Sequence, residues 1–498
     1  MKGNVMTTRK GLLLNPSQNL FCNEIERKVR GQGRRFKRLG GVLRHVENLF
    51  RRQHRATDFA ADRSRKRFWD GFLLFTVILL LGHLSYAGDW PHWRGPFLNG
   101  SSDEKNLPAS WSQTENVAWV SPLPGPSGAT PVICKGRVFV SSTKKGSDEL
   151  LALCFDAKNG KELWSKKLGA SSRKVPRNTM ATPSPVTDGK HVYFMYGSGE
   201  LASLDYGGNI LWSRNIETEY GNISIKYGYS SSPLLYKDKL YVLIHRRNRT
   251  YRSPESSTLD SFILAVDPKT GKNIWKQPRK TDALDESLDS YSSPIPNQID
   301  GRIELIILGG DYVTANDPAT GKELWRYRYA EQKSGRWRNV SSPVMGEGLI
   351  FGVRPRGGNG LFALKPGRGA SVTNPRIAWS FDGPTPDACT PLYYKGNLYV
   401  LDGKRGRVLT CLDAATGTQK WQGKLGGNGP WYASVTAADG KLYCINEAGQ
   451  AVVLAAGGQE FKILSRIDME DKPVQASIAI ADGHLYIRTA SKLTCVGK

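Results

Sequence analysis

The feature that most constrains this chain is a turn-and-tryptophan pattern that returns along most of its length. Its fullest copy is Asp317-Pro318-Ala319-Thr320-Gly321-Lys322-Glu323-Leu324-Trp325. The aspartate can cap a tight turn through its own backbone, the glycine supplies a positive φ, and the tryptophan offers a large flat apolar face on the following strand. Asp156 to Trp164, Asp267 to Trp275 and Asp413 to Trp421 repeat it, and Asp205 to Trp212 and Lys365 to Trp379 are looser copies. Strand-rich units at a period of roughly 45–60 residues predict an array of small sheets, stacked or radial.

A second signal recurs in phase with the first. Ala129-Thr130-Pro131, Ala181-Thr182-Pro183, Ser231-Ser232-Pro233, Ser292-Ser293-Pro294, Ser341-Ser342-Pro343 and Cys389-Thr390-Pro391 each open an apolar run. Ala433-Ser434-Val435 and Ala476-Ser477-Ile478 are copies without the proline. Proline within a sheet is confined to an edge strand, and two small residues beside it point to a crowded place. The innermost strand of a propeller blade is both. An alternating strand follows each start, as in Lys239-Leu240-Tyr241-Val242 or His484-Leu485-Tyr486-Ile487. A third strand ends at the motif aspartate and a fourth carries the tryptophan. The last unit, from Ala476, stops after its third strand, and the isolated strand at Trp119 supplies its fourth. The expected fold is all-β: an eight-bladed propeller of four-stranded antiparallel blades closed by an N-terminal strand, with seven blades as the alternative.

Ahead of the repeats the chain changes character. Its net charge is +25. Residues 1–67 hold about 18 Lys and Arg against about 5 acids, with too few apolar residues for a core, and read as a basic disordered prefix. No aromatic or motif context turns that prefix into a nucleic-acid arm. Residues 68–87 combine a basic flank, an apolar run of about 12 residues and Ser85-Tyr86-Ala87, the pattern of a signal peptide cleaved after Ala87 or, if uncleaved, of a membrane anchor. Either reading exports the bulk of the chain to the periplasm or cell surface. Residues 88–115 form an irregular lead-in rich in Pro, Gly and Trp, and 116–498 the propeller.

The Asp-x-x-Thr-Gly-Lys-x-x-Trp repeat resembles the tryptophan-docking motif of pyrroloquinoline-quinone (PQQ) type propellers, over nearly all of residues 116–497. Asp89-Trp90-Pro91 and Arg94-Gly95-Pro96 look like the lead-in of secreted PQQ-like repeat proteins. That family includes quinoprotein alcohol dehydrogenases and a scaffold lipoprotein of outer-membrane barrel assembly, so the resemblance implies a fold and leaves two classes of function. It implies a docking role for Trp119, Trp164, Trp212, Trp275, Trp325, Trp379 and Trp421. If the chain is an enzyme, it implies PQQ with calcium. Adjacent cysteines beside the quinone, typical of those dehydrogenases, are missing: Cys134, Cys154, Cys389, Cys411, Cys444 and Cys495 are scattered and read as small core residues.

The acids on loops offer one possible base, Asp311, and no metal site. The basic loops are more informative. Strand-two-to-three loops carry Arg246, Arg247, Arg354, Arg356, Lys404 and Arg405, and blade-to-blade loops carry Arg177 and Arg338. In a propeller both loop sets emerge on one face, so these cations should ring one funnel, with Tyr251, Trp337 and Trp431 as flat faces nearby. Converging like charges attract anions, and arginine suits carboxylate, sulfate or phosphate. The sequence therefore favours a non-catalytic, monomeric binding scaffold for an anionic ligand or glycan, or for an envelope protein. A PQQ-dependent alcohol dehydrogenase of polyvinyl-alcohol type is the alternative.

Overall fold

A computed structural model describes residues 88–247, 260–355, 360–367 and 375–497. The expectations for residues 1–67, for 68–87, and for Arg356 and Tyr251 lie outside them. No helix among the described residues is long and apolar enough to cross a membrane.

The described strands form eight antiparallel sheets of four strands each, consecutive in seven of them. Blades 1 to 8 begin at Val132, Val186, Leu234, Ile295, Val344, Leu392, Thr436 and Ala479. Blade 8 takes its outer strand, β1 (Val117–Pro122), from the start of the array, paired with β32 (Lys492–Val496). The ring is therefore closed by the N-terminal strand, and the count is eight.

A closed circuit of hydrogen bonds explains the small residues at the blade starts. The backbone N–H of each donates to the hydroxyl of the next blade, in the order Thr130, Ser184, Ser232, Ser293, Ser342, Thr390, Ser434, Ser477 and back to Thr130, at 2.9–3.2 Å. Only a short side chain with an oxygen at Cβ can take this position, which satisfies a buried donor of the preceding blade. The second blade enters the ring through Ser184, between Pro183 and Pro185, and not through the Ala181-Thr182 pair. Thr182 instead closes a local turn with Thr179.

The tryptophan motif is shared between neighbours. The indole of Trp275 donates to Pro318 O of the next blade at 3.3 Å, and Trp119, Trp164, Trp212 and Trp379 do the same to Ala157, Tyr206, Pro268 and Ala414. Each ring lies against the motif glycine of that next blade, where a Cβ on Gly321 would stand 2.5 Å from Trp275. The motif glycine thus meets two demands, a positive φ and a close approach. The motif aspartate caps its own turn: Asp317 Oδ1 accepts from the backbone of Ala319 and Thr320, both at 2.8 Å. Directly across from each tryptophan stands a small residue, Cys154, Ser203, Ala265, Ala315, Ala363, Cys411 or Cys495. The six cysteines among the described residues are free and buried, three of them in that cramped position.

Every outer strand carries a β-bulge at the step before its tryptophan position. The unpaired residue, such as Leu163, Leu211 or Ile274, is turned out to solvent. Bulges interrupt the row of free N–H and C=O groups that an exposed edge otherwise offers to another strand.

The lead-in lies across the face that carries the strand-one-to-two hairpins. Trp90 exchanges backbone bonds with Ile133, Pro91 O accepts from Thr187 N, and Ala437 N donates to Gly100 O. Arg94, 1% exposed, is driven between blades 6 and 7. Its guanidinium donates to Pro391 O, Val435 O and Asn99 O at 2.8, 3.1 and 2.6 Å. No carboxylate among the described residues accompanies it, and burial pulls its pKa down to about 9.

Candidate functional site

On the opposite face the blade-to-blade loops and the strand-two-to-three loops surround a cavity of about 260 Å³. Arg177, Arg338 and Lys404 line it, together with Tyr227, Tyr291, Tyr432 and Asp387. Three of the eight expected cations therefore meet at one mouth, from the loops that follow blades 1 and 4 and from within blade 6.

Their charges are unequally neutralised. Arg338 donates to Glu286 at 3.2 Å and reaches Asp387 at 3.2 Å, with its guanidinium 5.0 Å from the Tyr227 ring centre. Burial opposes the Arg338 charge, but Asp387, Tyr227 and Glu286 outweigh it and hold its pKa above the ordinary arginine value. Lys404 shares Asp387, and Lys226 shares Glu286. Two carboxylates thus serve three cations, Arg338, Lys404 and Lys226, and Arg177 has no carboxylate partner among the described residues. It is exposed, with φ +66°, and its guanidinium touches Tyr432 Oη at 3.4 Å. A cation held on a rigid turn over an aromatic wall is available to a ligand.

The remaining predicted cations go elsewhere. Arg246 is buried and donates to Asp260 O and to Tyr220 O and Gly221 O, which fixes the loop around α1 (Ile216–Tyr220). Arg247 forks onto Asp289 at 2.6 and 2.5 Å. Burial raises the pKa of Asp289, with Arg247 working in the opposite direction. Arg354 lies over the Phe362 ring, outside the mouth. Arg405 is exposed, its backbone tied to Asp402. Trp431 is wholly buried in the blade 6–7 core, where it props the cysteine Cys389 through its carbonyl. Trp337 packs in part against the core of blades 4 and 5. The aromatic walls that the mouth does use, Tyr227, Tyr291 and Tyr432, carry no sequence signal beyond the Tyr content of loops.

Asp311 sits at the tip of the blade 4 loop with φ +67° and 1% exposure. Neither carboxyl oxygen has a hydrogen-bond partner among the described residues. Burial pushes its pKa up to about 6, eased by Arg328. It does not line the mouth cavity.

A quinone–calcium pair needs carboxylate and amide oxygens around a hard cation. Among the described residues no group of three or more His, Cys, Asp or Glu side chains is arranged to hold a metal ion. The one carboxylate of the mouth, Asp387, is committed to Arg338 and Lys404. The amide of Gln475 donates to Arg177 O and Glu447. These donors do not fit that pair.

Comparison with known proteins agrees with the architecture. BamB from Moraxella catarrhalis superposes with a TM-score of 0.52 at 13% identity, over 76% of this chain and 98% of that one. The quinohemoprotein alcohol dehydrogenase of Comamonas testosteroni gives 0.56 at 14% identity, over 82% and 81%. A europium-containing methanol dehydrogenase gives 0.57 at 12%, over 81% and 90%. At such identities the likeness is one of fold. The tetrathionate hydrolase of Acidithiobacillus ferrooxidans is 28% identical over 205 residues, 39% of this chain, and the chain spans about a third of that relative's length. A family model described as outer membrane protein assembly factor BamB matches residues 99–253, 259–404 and 374–497. The chain belongs to that family of PQQ-like propellers.

Proposed function

We propose that this protein is an exported, non-catalytic propeller that binds an anionic ligand at the funnel mouth. The observation that carries the reading is Arg177: a cation without a carboxylate partner among the described residues, beside Arg338 and Lys404, over a cavity walled by three tyrosines. A ligand carboxylate, sulfate or phosphate supplies the missing negative charge, and the rings give its body a flat surface. A sulfated or uronic-acid oligosaccharide meets both requirements. The matching family model is described as an outer membrane protein assembly factor, which agrees with a binding role. The dehydrogenase alternative has the fold of its neighbours behind it, while the mouth supplies neither the cation ligands nor an available base.

Binding of sulfated and uronic-acid oligosaccharides at two ionic strengths tests this. Affinity should fall as salt shortens the screening length to about 10 Å near 0.1 M. Arg177→Glu combined with Lys404→Glu should weaken binding about tenfold or more, at an unchanged urea midpoint, because exposed charges contribute little to folding. Binding indifferent to salt and to both reversals sinks the proposal.

A further inference from the structure

The mouth does not end at its tyrosines. Tyr291, Val340, Ala388 and Tyr432 wall both it and a narrower chamber of about 140 Å³ beneath. The chamber is lined by the eight ring hydroxyls and floored by Trp93 of the lead-in. It is a blind well, open to the loop face.

Three observations bear on what such a well holds. Each ring hydroxyl accepts one N–H, and no hydrogen bond from its own proton to a protein acceptor is found among the described residues. A hydroxyl is a donor as well as an acceptor, so eight donors converge on the axis with nothing in the protein to receive them. All eight residues are more than nine-tenths buried, which makes an unmet donor costly. The second observation is independent of the ring. Arg94 lies under the floor, 5.5 Å from the Trp93 ring centre, and its guanidinium binds the carbonyls of Pro391 and Val435, the residues next to ring members Thr390 and Ser434. Among the described residues its guanidinium hydrogen-bonds to carbonyl oxygens and to no carboxylate, so its charge is solvated but not cancelled. The third is the Trp93 indole N–H, buried and without a partner.

A site of donors over a buried cation selects a group that only accepts. Water and sugar hydroxyls bring donors of their own, whereas a terminal oxyanion brings none. The chamber has room for roughly four waters at ~30 Å³ each, or for one tetrahedral oxyanion. We propose that the hydroxyl ring above Trp93 is an axial subsite for one terminal oxyanion group, a sulfonate, sulfate or phosphate, of the ligand whose remaining charge is held at the mouth. The proposal rests on the mouth being the entrance of an anion-binding site.

The probe is inorganic sulfate, measured by equilibrium dialysis with the full chain. Thr390→Val removes one ring hydroxyl at nearly constant shape. Ala388→Leu narrows the neck and leaves every ring hydroxyl in place. Each should weaken sulfate binding about tenfold or more, the scale of a hydrogen bond to a charged group. Trp93→Phe should abolish the sulfate-dependent part of the indole fluorescence change. If Arg177→Gln weakens sulfate and both Thr390→Val and Ala388→Leu leave it unmoved, binding stops at the mouth and the ring subsite is wrong while the mouth reading stands. If the ring variants weaken it and Arg177→Gln does not, the subsite stands and the mouth reading falls. Ala388→Leu keeps the test valid should Thr390→Val fail to fold, and no sulfate binding to the parent chain overturns the subsite.

Discussion

Gly321→Ala isolates the contact on which the blade array depends. Gly321 has φ +75°, and an added Cβ would meet Trp275 at 2.5 and 2.6 Å and the Cβ of Gln277 at 3.0 Å. Two costs are combined there, backbone strain and collision, and a second glycine separates them. Gly348 has φ +70°, and a Cβ added to it would find nothing within 4 Å. Gly348→Ala should therefore show strain alone, about 1–2 kcal/mol for a left-handed residue, reduced by the ~0.4–1 kcal/mol that alanine removes from the unfolded chain's entropy. Gly321→Ala adds the collision with a ring held between two blades, about 1–3 kcal/mol by analogy with overpacked cores. The difference between the two variants, read by urea unfolding with far-ultraviolet circular dichroism, is the quantity of interest. In a Trp275→Ala background the ring collision is gone and only the 3.0 Å approach to the Cβ of Gln277 is left, so the excess cost of Gly321→Ala over Gly348→Ala should shrink to a small remainder. Equal costs for the two single variants, or an unchanged cost for Gly321→Ala without Trp275, refute the docking argument.

Two further outcomes follow from buried groups. Asp311 binds its proton more tightly in the folded state, with a pKa near 6 against about 3.9 for a free aspartate, so its contribution lowers stability as pH rises from about 4 to about 6. Asp311→Asn should remove that loss, on the order of 3 kcal/mol, making the variant more stable than the parent at pH 7 and nearly equal at pH 4; lower stability at pH 7 contradicts the assignment. Trp325 donates to Glu304 Oε2 at 3.2 Å and not to a blade 5 carbonyl, so Trp325→Phe should cost about 1–3 kcal/mol through the Oε2 left without that donor, and Trp325→Ala about 3–5 kcal/mol. A neutral Trp325→Phe, by thermal or urea unfolding, shows that the buried Glu304–Arg302 pair is satisfied without the indole.

The fold was legible because its signals are local and repeated. A turn needs Asp and Gly at fixed offsets, and the tryptophan follows within a few residues, so six copies reinforce one another. Legibility stopped where partners come from elsewhere in the chain. Ser184 was hidden between two prolines because its role is set by Thr130 N and Ser232 of the adjoining blades. The loop assignment placed Arg177, Arg338 and Lys404 on one face, but it could not tell a side chain reaching the axis from one turned inward. Arg246 turns to carbonyls of its own loops and Arg247 to Asp289, acids and carbonyls that a count of basic residues does not register. Trp325 carried the fullest motif, yet its indole donates to Glu304 of its own blade, and the blade 5 position that matches the motif aspartate is Lys365.

The borrowed outer strand of blade 8 sets an order of events during synthesis. Roughly 380 residues separate β1 from the strand it pairs with, a wait of roughly 20–75 s at translation rates of ~5–20 residues per second. An unpaired strand left adrift for that time is a hazard, and closing so long a loop is slow. Here β1 has an earlier partner. Trp119 reaches Ala157 O, and Ser121 Oγ reaches Gly160 O at 2.5 Å, both in the turn of blade 1. Those contacts can form as soon as blade 1 has emerged. They offer the first strand a mooring against the first blade, a template to which the C-terminal strands can add so that the ring closes without a search by two free ends.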